Sequence, residues 1–281
     1  MPTELTTTRF ASGLHFCEGP RIHDGALWLS DMHAQKVLRF DAQGNAETVV
    51  AVPKDPSGLG WLPDGDLLVV SMRDRKLLRW DGTSLTEHAD LSELATFHCN
   101  DMVVDAQGRA YVGNFGFDLA AGQEITSTCL LRVDPDGTVS AAAEDVLFPN
   151  GAVITDDGGT FILAETFGRR LTAFDIDGNG GLSNRRVWAE MPKGSVPDGI
   201  CLDAGGGVWV ASPTTNDCFR VVEGGEVTHR VAVDRSAIAC ILHDTTLYVL
   251  TSQDTDPKFC RENATACVEA AEAPYPAAGR P

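Results

Sequence analysis

Asn150-Gly151-Ala152-Val153-Ile154-Thr155-Asp156-Asp157-Gly158-Gly159-Thr160-Phe161-Ile162-Leu163-Ala164 is the stretch that decides the fold. Two apolar runs flank a turn rich in Asp and Gly, which is hairpin chemistry, because those residues supply the positive φ a tight turn needs. The unit recurs along the chain. Upstream it reads Glu18-Gly19-Pro20 leading to Leu27-Trp28-Leu29-Ser30-Asp31, Ser57-Gly58-Leu59 to Leu67-Leu68-Val69-Val70-Ser71, and Asn100-Asp101-Met102 to Ala110-Tyr111-Val112-Gly113. Downstream it reads Asp198-Gly199-Ile200 to Val208-Trp209-Val210-Ala211, and Ala237-Ile238-Ala239 to Tyr248-Val249-Leu250-Thr251. A third strand usually follows, as in Lys76-Leu77-Leu78-Arg79-Trp80 and Arg170-Leu171-Thr172-Ala173-Phe174. Six small antiparallel sheets, repeating at roughly 40 to 50 residues, predict an all-β chain folded as a six-bladed β-propeller. A two-sheet sandwich has no reason to repeat one unit six times. The repeats fill residues 1–281 as one domain, with a tail from about 262 to 281 expected to close or extend the last blade.

Charge narrows the partners. Across 281 residues, 40 acidic side chains outnumber 22 basic ones, a net charge of −18. No basic run exceeds the pairs Arg169-Arg170 and Arg185-Arg186, so neither nucleic acid nor an anionic membrane surface is an expected partner. The N-terminus, Met1-Pro2-Thr3-Glu4-Leu5, has neither the basic start nor the apolar run of a signal peptide, and a cytoplasmic protein is expected. Eight cysteines at irregular spacing, without a C-x-x-C, read as free thiols; Cys260 and Cys267 are the best-placed pair should any bridge form.

Equivalent positions in successive blades lie at one height around a central channel. The opening residues are Glu18, Ser57, Asn100, Asn150, Asp198 and Ala237. Buried carboxylates without partners cost several kcal/mol, so innermost strands should be small or apolar here. Two carboxylates and two amides occur instead. Either each caps its own turn, since Asn-Gly and Asp-Gly are common turn dipeptides, or a divalent cation at the channel mouth gathers their oxygens. The coincidence of four oxygen donors at one periodic position favours the cation.

These residues resemble the SMP-30/gluconolactonase/LRE family of six-bladed propellers. The resemblance runs through Phe16-Cys17-Glu18-Gly19-Pro20, Asn100-Asp101, Phe148-Pro149-Asn150-Gly151 and Pro197-Asp198-Gly199 to Asp256-Pro257-Lys258-Phe259-Cys260-Arg261. It implies a hydrolase of lactones or related esters using one divalent metal ion, Ca2+, Zn2+, Mg2+ or Mn2+, held by Glu18, Asn150 and Asp198. It also implies that Asn100 holds substrate beside the metal and that Asp198 is the acid/base. The chain departs from the sugar-lactonase pattern at His98, where the family often carries Arg. It departs again at Asn114-Phe115-Gly116-Phe117-Asp118, which replaces a Glu-bearing segment and leaves Asp118 a loose match among the substrate contacts. His98 and Phe115, with Phe117 nearby, predict a neutral, less hydroxylated substrate than an aldonolactone.

Other routes to hydrolysis have no sequence support: there is no Gly-x-Ser-x-Gly elbow and no His-Glu-x-x-His. Asp175-Ile176-Asp177-Gly178-Asn179-Gly180 opens like a calcium-binding EF-hand loop, but Arg186 stands where a bidentate Glu is required, so a hairpin turn is expected. Cys17 and Cys99 are expected in the core, and the histidines other than His98 on surfaces or turns. Asp101 is expected to face away from the ring, since neighbours in a strand alternate. The alternative function is a non-catalytic ligand- or protein-binding propeller with a structural cation.

Overall fold

Each sequence copy becomes one antiparallel blade of the propeller. The computed structural model describes residues 1–281. The innermost strands are Cys17–His23, Pro56–Trp61, Cys99–Val104, Pro149–Ile154, Ile200–Asp203 and Ser236–His243; each touches the next, and the last touches the first. Closure mixes the two ends of the chain. Ala266–Glu272 is the third strand of the sixth blade, and the N-terminal strand Thr8–Leu14 pairs with it as the fourth. Thr3–Leu5 runs parallel to the outer strand of the fifth blade, and Ala277–Ala278 pairs with its inner strand.

Apolar residues fill the spaces between blades. Leu68, Val70 and Leu77 of the second blade pack with Met102, Val104 and Val112 of the third, all buried. Truncating one of them, as in Leu68→Ala, should cost about 2–5 kcal/mol. One short helix, Pro257–Glu262, starts at Asp256, whose carboxylate accepts the Phe259 N–H. All eight cysteines are free and buried, Cys260 and Cys267 included.

A repeated irregularity shapes the channel mouth. Five inner strands lose register with their neighbours at the same place: between Glu18 and Arg21, Pro56 and Leu59, Cys99 and Met102, Pro149 and Ala152, and Ala237 and Ala239. Such bulges break side-chain alternation and re-aim residues. The glycines after the ring residues have a second purpose. A Cβ on Gly151 would lie 2.7–2.9 Å from Ile200 N, Asp198 O and Gly199 Cα, and Gly151 N–H donates to Asp198 O. Asn150-Gly151 is therefore not a turn; it lets neighbouring inner strands touch backbone to backbone.

Candidate active site

The bulges bring Glu18, Ser57, Asn100 and Asn150 to one end of the channel, where Asp198 joins them from just ahead of Ile200–Asp203. Glu18, Asn100 and Asn150 are buried; Asp198 keeps partial exposure, although its Oδ1 is enclosed. The amides are oriented from behind. Asn100 Nδ2 donates to Pro149 O, and Asn150 Nδ2 donates to Thr166 Oγ1 at 3.2 Å. Thr166 in turn donates to Pro197 O, so it positions Asn150 and ties that residue to the strand entrance carrying Asp198. Nothing in the sequence singled out Thr166.

The oxygens left over define the chemistry. Asn150 Oδ1 and Asp198 Oδ1 are both buried without a hydrogen-bond partner, as is Ser57 Oγ. Leaving such groups unpaired in a folded protein costs about 1–3 kcal/mol each, more when charged. Burial holds the Asp198 carboxyl up at about 8, against a lowering from the Asn150 amide, and the charge of Asp101 pushes the same way as burial. Burial, then the charges of Asp198 and Asp101, raises Glu18 well above the usual carboxylate range. Carboxylates thus crowd the site while lone pairs on the ring stay vacant. That donor set, two carboxylates with amide oxygens, fits a hard divalent cation. No group of three His, Cys, Asp or Glu side chains is arranged to hold a metal ion by itself, so the amide oxygens are needed to complete any such set.

Asp101 corrects an expectation. Strand alternation placed it away from the ring, but the bulge between Cys99 and Met102 breaks that alternation. Its Oδ1 pairs with Arg21 Nη2 at 2.8 Å, both side chains 5% exposed, and its charge acts on both Glu18 and Asp198. Asp101 and Arg21 belong to the ring's electrostatics.

Above the ring lies a rim. Phe16, Asp55, His98 and Phe148 stand two residues before Glu18, Ser57, Asn100 and Asn150, and their carbonyls accept the N–H groups of Met32, Met72, Phe115 and Thr166 respectively. His98 is half-buried and stacks on Phe97 at 4.2 Å, with Phe115 edge-on at 6.0 Å. Burial, then Arg73, lowers its pKa against Asp118 and Asp55, so the ring is neutral at neutral pH. Phe115 stacks on Phe148 at 4.3 Å, and Phe167 meets Phe148 edge-on at 5.1 Å. Phe117 is buried behind them. Phe148 has φ +56°, an outlier for a bulky residue; strain of this kind, about 1–3 kcal/mol, gathers at functional sites. Asp118 is spent on its own loop: Oδ1 accepts the Ala121 N–H, and its N–H binds Gln123. It reaches the rim only through its charge on His98. His33 lies in the turn Met32–Ala34, yet its ring is enclosed rather than on the surface.

Six blades with a polar ring at one mouth define a class of propellers that carry a site on the channel axis. Residues 16–253 match the SMP-30/Gluconolactonase/LRE-like region family, and the chain belongs to it. It is 30% identical over 212 residues to a pentonolactonase of Haloferax volcanii, covering 74% of this chain and 70% of that one. A regucalcin of Danio rerio is 30% identical over 215 residues, covering 73% of this chain and 66% of that protein. Among solved structures, a calcium-binding regucalcin from Agrobacterium tumefaciens superposes over 100% of both chains with a TM-score of 0.78 at 20% identity, a likeness of fold.

Proposed function

We propose that this protein is a lactone hydrolase that works with one divalent cation at the channel mouth, held by Glu18, Asn150 and Asp198. The observation that carries the reading is the pair of enclosed, unpartnered oxygens, Asn150 Oδ1 and Asp198 Oδ1, beside a Glu18 crowded by like charge. Charge balance supports it. A divalent cation offsets Glu18 and Asp198, while Arg21 already offsets Asp101. The substrate class is supported by the family and by the relative named for pentonolactone hydrolysis.

When bound, such a cation polarises the lactone carbonyl and lowers the pKa of water, so no serine nucleophile is needed. The chain's own residues do the rest. Asp198, through the carboxylate oxygen it does not give to the cation, takes the proton of the attacking water and returns it to the leaving alkoxide oxygen. Asn100, fixed through its Nδ2, holds the substrate beside the ring. The aromatic wall of Phe115, Phe148 and Phe167 excludes water and favours an apolar substrate face. The oxygen-rich ligand set favours calcium, magnesium or manganese over zinc.

The test is a lactone panel on protein stripped of metal and then reloaded with Ca2+, Mg2+, Mn2+ or Zn2+. Stripping should abolish hydrolysis and lower the melting temperature, because a ligand that binds only the native state stabilises it by mass action. Full activity in protein shown by elemental analysis to be metal-free would sink the proposal.

A further inference from the structure

The rim is divided. Its third and fourth blades present the aromatic wall, whereas its second presents charge, joined by Arg261 from the helix Pro257–Glu262. Asp55 occupies the same rim position as His98 and is 5% exposed; its Oδ2 takes Arg261 Nη2 at 2.8 Å and Arg73 Nε at 3.2 Å. One carboxylate faces two guanidinium groups. A unit of positive charge is left over, in a chain whose net charge is −18. The two arginine side chains are 42% and 39% exposed, and Asp55 is the side chain with which their forks form ion pairs. Beside them the His33 ring is 7% exposed, with Nδ1 3.9 Å from Asp55 Oδ2 and no hydrogen-bond partner. Burial holds His33 down at about 4, so it is neutral and adds no charge.

We propose that Arg73 and Arg261 form a carboxylate-binding site on the rim, and that the substrate is a lactone carrying a free carboxylate. This rests on the hydrolase reading above and deepens it. A planar guanidinium fork matches a carboxylate through two parallel N–H donors, and the single surplus charge matches a monoanion. A dianionic phosphate would instead meet the repulsion of Glu18, Asp198 and Asp101. Neutralising Asp55 needs only one arginine. Arg261 supplies that from the helix Pro257–Glu262, bound across 206 residues of sequence, and Arg73 is then surplus to the fold. The neutral substrate expected from His98 alone becomes an amphiphile: an apolar face against Phe115 and Phe148, and an anionic end toward Arg73.

The experiment uses 5-oxotetrahydrofuran-2-carboxylate and its carboxamide, which differ in charge and little in shape. With the supporting cation present, wild type should favour the acid by about 10-fold or more in kcat/KM, the size of one charged hydrogen bond. Arg73→Gln should remove that preference, raising KM for the acid about 10-fold more than KM for the carboxamide. Arg73→Lys, which keeps the charge and loses the fork, should fall between. Equal losses on both lactones, or no preference in wild type, overturn the proposal. A second arm separates this site from catalysis: calorimetric binding of tetrahydrofuran-2-carboxylate, a monoanion with no lactone to open, to wild type and Arg73→Gln. Binding weakened about 10-fold in a protein that hydrolyses neither lactone keeps the rim site and removes the hydrolase reading. Equal binding to both proteins overturns the rim site whatever the turnover.

Discussion

The two ends of the channel carry similar residues and opposite electrostatics. A cavity of about 750 Å3 lies at the end away from the ring, among Asp105, Asp156, Asp157 and Asp177. Every one of those carboxylates is occupied. Asp105 accepts the Gln107 and Arg109 N–H groups and pairs with the Arg109 side chain; Asp156 accepts Gly279 N–H; Asp157 accepts Gly159 N–H; Asp177 accepts those of Asn179 and Gly181. Backbone N–H donors accordingly lower the pKa of Asp177, and the Thr155 hydroxyl with Gly159 N–H lowers that of Asp157. At the ring end burial drives Asp198 and Glu18 the other way. The two ends differ in their unsatisfied buried oxygens, which only the ring end carries among these carboxylates.

The sharpest way to break this contrast is to remove one carboxylate from each end. Asp198→Ala should lose between about 10² and 10⁴ in kcat together with metal affinity, the range of an acid/base contribution. Asp177→Ala, in the segment that imitates a calcium loop, should leave kcat within about two-fold, as surface substitutions usually do. Comparable losses in steady-state assays of the two variants would show that the far cavity takes part.

Asp101 sharpens the comparison from inside the ring. Asp101→Ala strands the buried Arg21, and breaking a buried pair from one side costs about 3–5 kcal/mol of stability. It also deletes a negative charge that raises both Glu18 and Asp198, so the acid limb of the kcat–pH profile should move to lower pH. Denaturant titration reads the first effect and the pH profile the second. An unmoved acid limb in a folded variant would mean that Asp101 serves the fold alone.

Metal removal reaches the same contrast through pH. Without the cation, Asp198, held up at about 8, keeps a proton across a window where the unfolded chain, with an ordinary Asp pKa near 4, has released it. The folded state then binds more protons, so this group's stabilisation is complete below about pH 4 and is lost as pH rises toward about 8. The slope is at most about 1.4 kcal/mol per pH unit for one group. A bound cation favours the ionised form and should flatten it. Denaturation at pH 5 and pH 8, with and without calcium, tests this; identical slopes would argue against a ligand role for Asp198.

Much of this was legible in the sequence because propeller blades repeat. Equivalence between copies placed Glu18, Asn100, Asn150 and Asp198 at one height without any knowledge of their contacts. What failed was local geometry. Alternation misplaced Asp101 because a bulge interrupts the strand, and the contact between inner strands that Gly151 permits has no local signal in the sequence. Non-local partners left no trace either. Arg261 meets Asp55 across 206 residues, and Thr166 orients Asn150 from the next strand. Phe115 was visible as an unusual residue in its loop, whereas Phe148 and Phe167 gained meaning only when loops of two blades were seen to meet.

The smallest expected effect concerns His98, which marks the boundary between the aromatic and charged halves of the rim. Stacked on Phe97 and held neutral by burial, its imidazole offers one hydrogen bond per nitrogen, where arginine would offer a charged fork. A polyhydroxylated aldonolactone loses several partners by that exchange, while an alkyl lactone loses none. Wild type should therefore favour a simple γ- or δ-alkyl lactone over gluconolactone in kcat/KM, and His98→Arg should narrow the preference by about 10-fold, the scale of one charge-assisted hydrogen bond. Arg73 already acts on this position, so a second guanidinium beside it is repelled, and the gain for gluconolactone should shrink at low salt, where screening is weakest. A wild type that prefers gluconolactone would refute the reading of His98. A narrowing that is independent of salt would place the new guanidinium out of reach of Arg73.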